Sequence, residues 1–147
     1  LRLASELDQE TDRGLAIITS SHIDFLLTRL ISVTLKLPEP VHKFLFDGAN
    51  APFGTFSIKI ELVNKYGWLS SEEIRDLNII RKIRNEFAHK LIGISFETPS
   101  VKSRCLELKA APIDGNPSTA REYFKKATIR FIVDITLKVK STTEGQA

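Results

Sequence analysis

A chain of 147 residues, 42% apolar and 27% charged, has the size and composition of one globular domain. No uninterrupted apolar run approaches the ~18–20 residues of a bilayer span, and a single cysteine, Cys105, excludes an internal disulfide and a cysteine-built zinc site. The net charge of +3 is uneven: residues 1–74 sum to −3 and residues 75–140 to +7, a distribution that fits either solvated helix faces or a basic half that meets a polyanion.

The start, Leu1 to Asp8, is acidic and amphipathic, so no signal peptide is expected there, and a first residue other than Met suggests a trimmed chain. A helical stretch is predicted over residues 2–37, broken near Arg13-Gly14, with Ile23, Leu26, Leu27, Leu30 and Val33 at helical spacing. Pro38 and Pro40 are expected to end it, and residues 41–46 to form a short helical turn. After a loop over 47–54, a helix is predicted from Thr55 to Tyr66, with Phe56, Ile60 and Val63 on one side and Gly67 as its stop. Ser70 and Glu73 have the spacing of a capping box, so the central helix should run over residues 71–90. Thr98-Pro99 opens a short helix over 99–108, and Pro112, Gly115 and Pro117 keep the next stretch irregular. A second capping box, Thr119 with Glu122, opens a last helix to about Lys140, with Phe124, Ala127, Phe131 and Ile135 as its inner stripe. The prediction is one all-α domain over 1–140, a bundle of four to five main helices, with a frayed tail over 141–147.

The central helix carries the chemistry. At ~100° per residue, Leu77, Ile80, Ile83, Phe87 and Leu91 make an apolar stripe with Arg84 at its edge. Asn85 and His89, four apart, share a face roughly opposite the stripe, beside Lys82 and Arg75. Arg84 supplies a permanent charge and a planar fork that fits phosphate, His89 titrates near neutral pH, and Asn85 can orient either the imidazole or a ligand. Arg84, Asn85 and His89 are therefore candidate catalytic residues for RNA cleavage without a metal, and Arg81, Lys82 and Arg13 are candidate binding residues. The structural alternative is a helix whose last turn sets Arg, His and Lys against its own negative dipole end. His22, His42 and His89 lie too far apart to form a metal site, so neither metal nor cofactor is expected; His22, His42 and Cys105 are expected to be structural.

Two resemblances rest on these residues. Glu10-Thr11-Asp12-Arg13-Gly14, Leu45-Phe46, residues 52–60, Gly67-Trp68-Leu69-Ser70, Asp76-Leu77, residues 80–89 and Ser95-Phe96 together resemble the mannitol operon repressor (MltR) family in order and spacing. That resemblance implies a helical, repressor-type transcriptional regulator acting through protein or nucleic-acid contacts. The shorter run Arg84-Asn85-x-x-x-His89 resembles the Arg-x-x-x-x-His motif of HEPN domains, implying a HEPN-like helical fold, a homodimer, and a metal-independent endoribonuclease or toxin as the alternative function.

The expected partners are a second copy of the chain, nucleic acid through the basic residues 75–140, and another regulatory protein, with no membrane. With one cysteine, the expected compartment is the cytoplasm.

Overall fold

The computed structural model describes residues 2–111 and 119–145. Seven helices follow in chain order: α1 Arg2–Asp8, α2 Asp12–Thr34, α3 Glu39–Phe46, α4 Phe56–Tyr66, α5 Ser71–His89, α6 Pro99–Leu106 and α7 Ala120–Gly145. No strand occurs among the described residues, so the all-α expectation holds.

Local chemistry sets most of the ends. Thr55 caps α4 through its hydroxyl on the Ile58 N–H, and Gly67 closes it in the left-handed conformation (φ 71°) with the Trp68 N–H on the Val63 carbonyl. Ser70 and Glu73 complete both halves of the predicted capping box at α5. At α7 only the hydroxyl half is made: the Glu122 N–H donates to Thr119 Oγ1, while the Glu122 carboxylate pairs with Lys125.

Several boundaries differ from expectation: α2 ends at Thr34 and not near residue 37, α6 ends at Leu106 and not at 108, and four further differences have a visible physical cause. The break in the first helical stretch comes earlier, at Gln9–Thr11, because the Thr11 hydroxyl accepts the Gly14 N–H and starts α2 there. Pro40 opens α3 instead of ending a helix, since a proline in the first turn lacks only an N–H that would have no partner. Leu91 lies past the end of α5 and is 90% exposed, so it leaves the apolar stripe. Helix α7 continues through Ser141 to Gly145, five residues beyond its predicted end, where the Thr143 hydroxyl donates to the Val139 carbonyl. The proline- and glycine-bearing stretch at 112–118 lies outside the described residues.

The core runs along α2, which packs most extensively on α7 and next on α5. Leu15, Ile23, Leu27 and Ile31 of α2 meet Leu77, Ile80, Ile83 and Phe87 of α5 and Phe124, Phe131 and Ile135 of α7 in one buried cluster. Phe96, from the loop after α5, joins them, its ring 5.0 Å from Phe87 and 5.2 Å from Phe124. By length and a mean hydropathy of 1.3, α2 is also long and apolar enough to cross a membrane, although half of that window is buried inside the bundle. The apolar residues of one α2 face are core; those of the other face, Ile18 and Phe25, are exposed.

Buried polar groups are tied across the bundle. The Lys59 ammonium meets Asp24 at 2.7 Å and lies over the Phe46 ring. Burial alone would lower the Lys125 pKa, but hydrogen bonds and charge attraction from Asp8 and Glu122 outweigh it and leave the ammonium raised. Asp76, almost wholly buried, accepts the Lys109 and Ala110 N–H groups and anchors the chain after α6 to α5.

Candidate functional site

The C-terminal turns of α5 hold the residues singled out by sequence. Arg84 is half-buried, and its Nη1 donates to Asn85 Oδ1 at 3.2 Å. His89, the last residue of α5, is exposed, and no hydrogen bond or ion pair joins it to Arg84 or to any other described residue. The structure thus brings Arg84 and Asn85 together and leaves His89 apart, as ~140° of separation on a helix dictates. Arg81 is half-buried on the Arg84 side of the helix, with Nη2 3.4 Å from Asn78 Oδ1. Lys82 is exposed on another side of the helix.

Arg13 has a different part. Its guanidinium donates to the carbonyls of Phe87, Lys90 and Leu91, so it caps the C-terminal end of α5 with a positive charge where the helix dipole is negative. Its guanidinium is engaged by the chain itself. Its neighbour Asp12 accepts the Phe96 N–H at 3.0 Å and an Arg121 N–H at 2.7 Å. Arg121 also reaches the Leu7 and Glu10 carbonyls. The α1–α2 junction therefore clasps both the end of α5 and the start of α7. Asp12 and Arg13 thus act as caps at a helix junction, and the ion pair of Asp12 goes to Arg121 and not to Arg13.

Glu86, nearly three turns along α5 from Asp76, accepts from Ser100 and Arg104 of α6, each at 2.8 Å. Sequence reading missed these links because their partners lie 14 and 18 residues away. His42 is structural as expected: Nδ1 lies 2.9 Å from Ser32 Oγ, and the ring leans on Phe46. Cys105 is fully buried; burial, with a smaller contribution from the negative charge of Asp12, pushes its thiol up to about 12. Among the described residues no group of His, Cys, Asp or Glu could hold a metal ion.

A second surface feature went unread. Leu3 and Leu7 of α1, Ile17, Ile18, His22 and Phe25 of α2, and Ile132 of α7 line an open apolar groove of about 500 Å³. Ile18 is 47% and Phe25 55% exposed. Its signal was present in the sequence: positions 18, 22 and 25 repeat at helical spacing on the side of α2 away from Ile23.

The fold and these residues define a single α-helical bundle carrying a partly paired basic row and an apolar groove. No protein-family model matches the chain, and no curated protein matches it. A solved structure does: a chain of the MtlR–HPr complex from Escherichia coli superposes with a TM-score of 0.64 at 17% identity, over 96% of this chain and 96% of that one. That likeness shows a fold shared with a chain of that complex.

Proposed function

We propose that the chain is a repressor-type regulatory module of the MltR kind that works by binding another protein, in the cytoplasm and as a homo-oligomer. The observation that carries the reading is the end-to-end likeness to a chain of the MtlR–HPr complex, which is itself a protein–protein complex. The apolar groove supports it, because contiguous exposed apolar surface is what protein contacts use. On this reading the partner contact falls on Ile18, His22 and Phe25. Calorimetric titration of the purified protein with HPr tests it: micromolar binding that Phe25→Glu abolishes is the expected result, and no heat with HPr would remove it. Sedimentation at micromolar concentration should show an oligomer.

A HEPN-type, metal-independent ribonuclease is the second reading, favoured by the Arg84–Asn85 hydrogen bond, which restrains a guanidinium that could stabilise a charged phosphorane. It requires His89 to meet Arg84 of another copy, since the two stay apart within one chain. RNA cleavage that survives EDTA and disappears in His89→Ala would establish it.

A further inference from the structure

The excess positive charge of the chain has a location once each acid is assigned its partner. Every described acid between residues 75 and 140 is engaged, Asp76 by two backbone amides and the others by ion pairs. On α5 this leaves Arg81, Lys82 and Arg84, none in an ion pair among the described residues.

Arg81 and Arg84 stand one turn apart, ~60° around the helix, and both are half-buried. Arg81 Nε is buried without any hydrogen-bond partner, and the long contact to Asn78 is the one bond its guanidinium makes. Arg84 uses one N–H on Asn85. A guanidinium carries five N–H donors, so most of this capacity is unanswered. Two like charges a turn apart repel each other, and the buried Arg81 Nε–H, withdrawn from water without an acceptor, adds a cost. An anion held between the two guanidinium groups would relieve the repulsion. A carboxylate has two oxygens and saturates one guanidinium fork, whereas a phosphate has enough oxygens to bridge two.

We propose that Arg81 and Arg84, the second oriented by Asn85, form a phosphate-binding fork on the outer flank of α5. It takes the phosphate of a free phosphate ester or of a nucleic-acid strand. The proposal goes beyond protein-contact regulation and does not rest on it.

The test is a set of titrations of the intact protein with inorganic phosphate, a nucleoside monophosphate, a single-stranded RNA 20-mer and poly-glutamate. Arginine side-chain Nε–Hε resonances and fluorescence anisotropy are followed. At least one phosphate-bearing probe should shift the Arg81 and Arg84 resonances. Saturation by phosphate or the monophosphate identifies a small ester as the ligand; saturation by RNA alone identifies a strand. Arg81→Gln with Arg84→Gln should weaken that probe at least tenfold. For RNA it should also flatten the salt dependence by about 1.4 in log–log slope, roughly 0.7 for each lost contact. Arg84→Lys keeps the charge and the fold but lacks the fork, and should lose most of the binding as well. Lys138→Gln, an exposed charge control on α7, should bind as wild type. The proposal is overturned if no phosphate probe shifts either arginine, if poly-glutamate binds equally well, if Arg84→Lys binds normally, or if Lys138→Gln weakens binding as much as the double variant.

Discussion

Asp12 and Arg13 sit side by side at the start of α2 and serve opposite ends of two other helices. Asp12 has carboxylate oxygens on a backbone N–H of the loop after α5 and on Arg121, and removing it leaves both without their acceptor. Asp12→Ala is expected to cost about 2–4 kcal/mol, because a partly buried charge pair is broken on one side. Arg13→Ala uncovers three carbonyls at the end of α5 and should cost about 1–3 kcal/mol, with faster amide exchange confined to residues 87–92. Urea denaturation measures both losses, and a variant within 0.5 kcal/mol of wild type would contradict the clasp. Cys105 makes a pH prediction. The unfolded thiol ionises from about 9, while the folded one holds its proton until about 12. The folded state therefore binds the extra proton in between, so stability is complete below pH 9 and falls as pH climbs toward 12. The raised Lys125 acts in the same direction above 10.5. Urea midpoints at pH 8 and pH 11 should fall less steeply for Cys105→Ala than for wild type. At pH 8 the folded thiol should be inert to a disulfide reagent and react once urea unfolds the chain.

Among the elements, α5 is started by side chains close in sequence and stopped by one far away. Ser70→Ala removes the hydroxyl half of its capping box and should cost about 1 kcal/mol, read as a lower melting temperature. Gly67→Ala forces a left-handed residue to carry a Cβ at φ 71° and should cost about 1 kcal/mol too. Helix α2 is unusual in being apolar on two faces. Its inner face is the core, so Leu27→Ala should cost about 2–5 kcal/mol. Its outer face is open, so Phe25→Glu should leave the melting temperature within a degree or two of wild type while removing partner binding. If Phe25→Glu unfolds the protein, the groove is part of the core and the contact surface lies elsewhere.

For the molecule as a whole, the two functional readings diverge at His89. It is exposed and bonded to nothing described, so His89→Ala should keep the fold. On the regulatory reading RNA stays intact with either protein, and on the ribonuclease reading the loss of one acid–base group lowers the rate by ~10²–10⁴. Much of this architecture was legible in the chain before any coordinates. Capping residues Ser70 and Thr119, the stop at Gly67 and the stripes of α4, α5 and α7 are local signals, because a cap or a helical repeat is decided within a few residues. The class of fold belongs to that local information as well, whereas the sequence placed Asn85 with His89 and the structure pairs it with Arg84. Tertiary structure alone decided what Asp12, Arg13, Glu86 and Asp76 hold, since their partners lie between 14 and 109 residues away and no spacing rule encodes such distances. It also decided which of the two apolar faces of α2 stays in water, because periodicity marks a face as apolar but only packing covers it.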